Sequence, residues 1–211
     1  MSFEQSYASW CKALNDIGFA VEAFLNPPAS EAELQALQEE IGFALPDDLK
    51  ALYLKANGQI DVFRAESAEP GEIVTPFFGA YDFISIERAL TNYRLWKGIF
   101  DEYGEKFHES FNEGVIRVRQ GDAVYPEYWR PGWLPFSIDG GGNSYAVDLS
   151  PPTSGTYGQV IVIGSDEDER RVLAPSISAF LEFALTRRLE LEEGEGIWYC
   201  FDIERLSPLT S

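Results

Sequence analysis

The feature that most constrains the fold is a change in the period of the apolar residues about halfway along the chain. In the first half they recur every three or four positions, as Tyr7, Trp10 and Leu14 do, which is the spacing of one helix face. In the second half they alternate, as in Ser144–Leu149, so one face of that strand should be buried. A helical spacing returns after Pro175. This order predicts an α+β fold, with helices packed on a mainly antiparallel sheet, rather than a doubly wound sheet.

Four helices are predicted in the first half because each has its own start and stop signals. Serines stand where N-caps belong, and glycines stand just past three of the ends: these are Ser2, Ser30 and Ser85, and Gly18, Gly42 and Gly104. The remaining helix opens at Leu45-Pro46-Asp47-Asp48 and closes at Asn57-Gly58. Residues 59–79 contain prolines, glycines and scattered acids, which predicts a long loop with a short strand around Ile60–Phe63.

The second half predicts two hairpins and a last helix. Trp133–Ile138 and Ser144–Leu149 flank the turn Asp139-Gly-Gly-Gly-Asn143. Gln159–Ile163 and Arg171–Ala174 make the other pair across residues 165–169. Val115–Arg119 and Asp82–Ile84 are shorter candidate strands, a helix starts at Ser176, and Ile197–Ile203 is a candidate edge strand.

Net charge excludes some partners. The chain carries a formal charge of −19, which repels phosphate backbones and anionic membrane surfaces. It attracts basic proteins, although an acidic surface also serves solubility alone. Two cysteines at opposite ends, no signal peptide at the start and no apolar run long enough for a bilayer predict a cytoplasmic protein.

Three blocks of sequence resemble a known superfamily. The first runs from Asn26 to Gly58 and includes Glu40-Ile-Gly-Phe-Ala-Leu-Pro-Asp-Asp; the second runs from Trp129 to Asp148 with Trp133-Leu-Pro-Phe and Val147-Asp148; the third runs from Gly158 through Ala174 and its following helix. In order and spacing they resemble the SUKH superfamily, which includes fungal Smi/Knr cell-wall regulators and many bacterial immunity proteins. The resemblance spans residues 20–189 of a single 1–211 domain. It leaves residues 1–19, the 59–79 loop and the 190–211 extension outside.

The resemblance implies a compact α+β domain with no established catalytic activity, whose members act by binding proteins. We further expect no cofactor, and a monomer or a weak homo-oligomer. The main interpretation is an immunity protein that neutralises a basic toxin domain, of nuclease or deaminase type, by binding it. The alternative is a regulatory scaffold similar to the fungal members. A second alternative is a metal-dependent hydrolase, in which Asp139 and Asp148 bind Mg²⁺ or act as acid and base. Their structural interpretation is that Asp139 stabilises a turn and Asp148 bonds backbone or faces solvent.

Two groups of residues are candidates for partner binding. Tyr125, Tyr128 and Trp129 lie in a proline-flanked loop and belong to the types that dominate binding hot spots, although such rings also serve as core. Asp166, Glu167, Asp168 and Glu169 form an acidic hairpin tip suited to a basic surface, and Asp139 in the glycine-rich turn is a further candidate. The single histidine, His108, lacks a partner motif for catalysis.

Overall fold

The computed structural model describes residues 1–19, 21–60, 76–112 and 116–186, and the backbone of 191–193 and 198–200. Its first half is mostly helical: α1 (Phe3–Asp16), α2 (Val21–Phe24), α3 (Glu31–Ile41), α4 (Asp47–Lys55), β1 (Asp82–Phe83), α5 (Ile86–Tyr103), a 3₁₀ turn (Gly104–Lys106) and α6 (Phe107–Asn112). Its second half holds the strands: β2 (Arg117–Val118), β3 (Trp133–Pro135), β4 (Ser137–Ile138), β5 (Asn143–Asp148), β6 (Gln159–Gly164) and β7 (Glu169–Ala174), then α7 (Ile177–Leu185), β8 (Leu191–Glu193) and β9 (Trp198–Cys200). The predicted α+β class is confirmed.

The main sheet has five strands in the order β2-β7-β6-β5-β3. Strands β3, β5, β6 and β7 pair antiparallel, as the two predicted hairpins require. Strand β2 is the exception, because it runs parallel to β7 and pairs Arg117 with Glu169. The separate pair β1–β4 is antiparallel and joins the helical half of the chain to the sheet.

Strand β5 is buried on both of its faces, which corrects the expectation of a single buried face for this strand. Every residue of β5 is buried, and neighbouring side chains of a strand point to opposite faces. Tyr145 lies against Phe180 of α7, with ring centroids 5.3 Å apart, whereas Ser144 shares a groove with Asn92 and Trp96 of α5. The alternation of β5 therefore separates a face under α7 from a face under α5, and both are covered.

Four of the predicted helix starts are confirmed by their N-cap contacts. The Ser2 and Ser30 side chains both form capping boxes with the residue three positions later, which satisfies otherwise unpaired N–H groups. Ser85 accepts from the backbone N–H of Arg88, and Ser176 accepts from that of Ala179. These local contacts explain why the helix starts were readable from the sequence.

Some predictions fall wholly or partly outside the described residues. Most of the 59–79 loop, with the Ile60–Phe63 strand, lies there, and so does Val115. In the tail, Trp198–Cys200 pairs antiparallel with Leu191–Glu193 and not with the five-stranded sheet, so the predicted edge strand is a separate hairpin arm. Within the described part of the chain, no helix is long and apolar enough to cross a membrane.

Candidate functional site

The aromatic loop at residues 125–130 packs against the helices α5 and α6. Trp129 is only 1% exposed, and its ring lies 5.4 Å from Tyr93 and 5.8 Å from Phe100. Tyr128 is partly buried, with its ring 5.1 Å from that of Trp96. Trp129 therefore has the buried environment of a core residue, whereas Tyr128 keeps part of its side chain at the surface. The assignment of both residues to partner binding stays a prediction.

One buried cation holds this loop to the sheet. Arg170 of β7 is 0% exposed, and its guanidinium donates to the backbone carbonyls of Glu127, Tyr128 and Glu167. Burial lowers its pKa to about 10, so the group stays charged at neutral pH. The planar fork of arginine suits several carbonyls at once. Sequence analysis missed this residue because its partners lie about forty positions earlier in the chain.

Tyr125 stacks on a neighbour within its own loop. The guanidinium carbon of Arg130 lies 3.7 Å from the centroid of the Tyr125 ring, which is a cation–π contact. The Arg130 guanidinium also lies 3.6 Å from the Glu127 carboxylate. One face of the Tyr125 ring is thus already covered, and the partly buried side chain offers a partner only its remaining surface.

The turn between β4 and β5 is closed by Asp139. Its carboxylate accepts from the backbone N–H groups of Gly141 and Asn143, at 2.7 and 2.9 Å, and from the Asn143 side-chain amide at 2.7 Å. The structural interpretation of Asp139 as a turn residue is therefore confirmed. The same Asn143 amide lies 3.4 Å from the carboxylate of Asp166, so the two predicted acids meet at one amide.

The acidic tip contains two kinds of carboxylate. Glu167 is only 9% exposed and pairs with Arg171 at 2.7 Å, so its charge is paired within the protein; its assignment to partner binding stays a prediction. Asp166 and Asp168 are exposed. Glu169 is exposed too, with the Arg119 guanidinium 3.6 Å from its carboxylate. Three of the four predicted acids therefore stand at the surface.

A groove lies between α5, the aromatic loop and the turn end of β5 and β6. Its empty volume, with the open solvent it includes, is about 280 Å³. It is lined by Asn92, Trp96, Tyr128, Trp129, Gly142, Ser144, Ile163 and Gly164. Hereafter we call it the α5 groove. It brings two of the predicted aromatic residues, Tyr128 and Trp129, to the end of the sheet where the turn of Asp139 and the turn of Asp166 meet at Asn143.

Two glycines at the turn end of the α5 groove have no room for a side chain. A Cβ atom on Gly142 would lie 2.8 Å from the Ser165 hydroxyl, and one on Gly164 would lie 2.2 Å from the Asn143 side-chain oxygen. Both approaches are closer than real Cβ contacts allow. Glycine at these positions therefore has a packing reason, beyond the turn chemistry visible in the sequence.

Asp148 lies at the opposite end of β5 from this turn. Five residues of strand separate it from Asn143, which is about 16 Å of extended chain. Its buried carboxylate accepts from the Ser150 backbone N–H at 3.0 Å and from the Gln159 side-chain amide at 3.1 Å. Burial raises its pKa, partly offset by these bonds. The two-aspartate hydrolase site is therefore wrong in its geometry, since Asp139 and Asp148 do not converge.

Metal ligation was tested on the side chains that the structure describes. Among them, no three His, Cys, Asp or Glu side chains stand together as a metal site would need. Asp139 and Asp166 meet as a pair, and their contacts are with the amide nitrogen of Asn143. Of the predicted acids, Asp139 stabilises a turn, Asp148 lies buried at the end of β5, and Asp166 stands next to Asn143.

The fold and the α5 groove define a class of protein: an α+β domain of SUKH type, with helices on both faces of a mainly antiparallel sheet. More specifically, the chain belongs to the SMI1 / KNR4 family (SUKH-1), whose profile matches residues 28–182. The resemblance drawn from the three sequence blocks is thereby confirmed. The finer boundaries at residues 20–189 stay a prediction.

Curated relatives of this chain are fungal proteins. The cell wall biosynthesis/cell cycle regulator smi1 of Schizosaccharomyces pombe is 31% identical over 157 residues, which cover 72% of this chain and 29% of that protein. The KNR4/SMI1 homolog 2 of Debaryomyces hansenii is 40% identical over 190 residues, covering 79% and 32%. The cell wall assembly regulator SMI1 of Saccharomyces cerevisiae is 22% identical over 205 residues, covering 86% and 38%. The chain spans about a third of the length of these relatives.

These names favour the regulatory interpretation over the immunity interpretation. They describe regulators of cell-wall synthesis and assembly, and they lend no support to a toxin partner or to a bacterial immunity protein. The main functional prediction from the sequence is corrected accordingly, and its alternative is retained.

Proposed function

We propose that this chain is the folded, protein-binding domain of a regulator of cell-wall assembly, and that it acts by binding and not by catalysis. Two similar proteins are named as cell-wall regulators. The chain spans only about a third of them, so it corresponds to one domain of such a regulator.

The observation that carries the proposal is the α5 groove, taken together with that family membership. The groove combines partly buried rings, Trp96 and Tyr128, with the polar side chains of Asn92 and Ser144, and aromatic residues supply much of the binding energy in protein interfaces. Asp166, Asp168 and Glu169 are exposed acids in and just after the turn that follows β6, and Asp139 meets Asp166 at the Asn143 amide. Charge of one sign speeds the encounter with a basic partner and selects against acidic ones.

A chimera in fission yeast tests the proposal. The matched segment of the S. pombe regulator is replaced by this chain, and cells lacking their own copy are grown under cell-wall stress. We expect the chimera to restore growth, because a domain that keeps its binding surface should serve in the related host. A chimera that accumulates to the normal level and leaves the cells as sensitive as the deletion strain contradicts the proposal.

A matched pair of variants separates binding from folding in this assay. Asn92→Lys and Thr91→Lys both add one positive charge to the same turn of α5, but only Asn92 lines the α5 groove, whereas Thr91 is exposed. We expect Asn92→Lys to reduce rescue and Thr91→Lys to retain it. Equal rescue by both variants would contradict a role for the groove.

A further inference from the structure

Two carboxylates close to the turn end of the α5 groove form no ion pair. Asp139 and Asp166 both contact the side-chain amide of Asn143, which stands between the groove-lining residues Gly142 and Ser144. Within the described residues, neither carboxylate has a Lys, Arg or His nitrogen within 4.0 Å. Their hydrogen bonds are with neutral N–H groups, so the negative charge remains for a partner to neutralise.

A buried donor without an acceptor lies in the same groove. Trp129 is only 1% exposed, and among the described residues its indole Nε1–H has no hydrogen-bond partner. A buried N–H that is left unpaired costs about 1–3 kcal/mol. Because Trp129 lines the groove, we take a carbonyl oxygen of a bound segment as the acceptor for this donor. This observation is independent of the two aspartates and points to a ligand that carries both an acceptor and a positive charge.

The rings beside this donor suit a planar cation. Trp96 and Tyr128 line the α5 groove with centroids 5.1 Å apart and planes tilted by 54°. A guanidinium stacks on such rings and also pairs with carboxylates through its fork, whereas an ammonium offers only a point charge. The groove therefore favours arginine over lysine.

We propose that the α5 groove binds an arginine-bearing segment of a partner protein. The arginine guanidinium lies against Trp96 and Tyr128 and meets Asp139 and Asp166, and a backbone carbonyl of the same segment accepts from the indole N–H of Trp129. This inference rests on the proposed function and gives the partner its recognition chemistry.

The test titrates the full chain with a blocked pentapeptide, Gly-Ser-Arg-Ser-Gly. Its two controls carry citrulline, which keeps the shape and loses the charge, or glutamate in place of arginine. Binding is followed through the ¹⁵N–¹H signal of the Trp129 indole. We expect the arginine peptide to move this signal and to bind at least about fivefold more tightly than the citrulline peptide, since a desolvated cation–π contact and two carboxylates favour the charge.

Matched variants locate the binding. Asp166→Asn should weaken the arginine peptide about two- to fivefold, as expected for an exposed ion pair, whereas Asp168→Asn removes the same charge from an exposed acid that does not contact Asn143. Asn92→Lys should weaken it further, and Thr91→Lys should change it little. Raising the salt concentration should weaken binding as well.

Three results would overturn the inference. Equal affinity for the arginine and citrulline peptides would remove the cation from the recognition chemistry. Equal effects of Asp166→Asn and Asp168→Asn would show general attraction to an acidic protein. No movement of the Trp129 indole signal at saturating peptide would place the binding elsewhere. The chimera separates the two proposals: rescue without arginine binding refutes this inference alone, and arginine binding without rescue refutes the cell-wall role alone.

Discussion

Replacing Arg170 with methionine tests how the aromatic loop is held. The guanidinium joins β7 to three backbone carbonyls, two in the 127–128 segment and one at Glu167. Methionine replaces the aliphatic stem of arginine and fills the apolar part of the site, but it lacks the guanidinium and donates no hydrogen bond. The substitution therefore removes the connection between loop and sheet while most of the packing remains.

Three contributions determine how much stability the variant loses. The lost hydrogen bonds and the unpaired carbonyls destabilise it, whereas the avoided desolvation of the charge stabilises it. Each hydrogen bond from a charged donor contributes about 1.5–3 kcal/mol to stability, so three such bonds set an upper limit well above 4 kcal/mol. Desolvation of the buried charge opposes folding by several kcal/mol, and methionine avoids it. Carbonyls left without donors add a cost of their own. Because removing one member of a buried charged network costs about 3–5 kcal/mol, we expect Arg170→Met to lower the free energy of unfolding by a similar amount.

Denaturation in urea, followed by tryptophan fluorescence, measures this loss. The control is Arg119→Met, the same substitution at a partly exposed arginine whose guanidinium lies 3.6 Å from the Glu169 carboxylate. It should lower the free energy of unfolding by at most about 1 kcal/mol. Arg170→Lys should fall between wild type and Arg170→Met, since an ammonium keeps the charge but not the fork. If Arg170→Met is no more destabilising than Arg119→Met, the argument that Arg170 anchors the loop is wrong.

Two further predictions concern a buried acid and a tight glycine. Burial raises the pKa of Asp148 above its ordinary value of 3.8, so the folded chain holds this proton more tightly than the unfolded chain does. The free energy of unfolding of the wild type should then fall relative to Asp148→Asn as the pH rises from about 3.8 through the raised pKa; parallel stability curves would contradict this. Gly58 and Gly42 have nearly the same φ, +79° and +77°, but a Cβ atom on Gly58 would lie 2.4 Å from the Ser85 backbone nitrogen, whereas nothing lies within 4 Å of one on Gly42. Gly42→Ala should lower the free energy of unfolding by about 1–2 kcal/mol through backbone strain alone, and Gly58→Ala by at least about 2 kcal/mol more. The difference between their thermal unfolding midpoints measures this. Equal shifts would show that the close approach to α5 carries no cost.

Local signals were readable from the sequence, and contacts between distant segments were not. The serine caps, the hairpin turn at Asp139 and the stripe of α7 depend on residues within a few positions of one another. The parallel pairing of β2 with β7 joins residues about fifty positions apart, and no local pattern distinguishes it from an antiparallel edge. Burial of both faces of β5 was missed for a related reason: the strand alternates large apolar side chains with Ala146 and Asp148, and small or polar residues can be buried where a helix covers them.

The candidate site shows the same division between local and distant contacts. Asp139, Asp166 and Tyr128 were identified by residue type and loop position, while Asn92 and Trp96 were placed on a helix and assigned to no site. Trp96 belongs to the apolar stripe of α5, and such a position favours core packing. It also lines the α5 groove because its ring meets that of Tyr128 in the aromatic loop. Only the folded arrangement, with Arg170 holding that loop, brings helix, loop and hairpin turn together.

The turn contacts of Asp139 are compatible with the binding role that we propose for it. If a carboxylate stabilised its turn by pairing with a cation, that ion pair would neutralise its charge. A basic partner would then gain little from binding it. Asp139 instead accepts from two backbone N–H groups and one amide N–H, and neutral donors order the carboxylate while leaving its net charge in place. The turn fixes the position of the acid before any partner arrives, so less side-chain entropy is lost on binding. The hairpin turn is therefore a suitable rim for a groove that selects a cation.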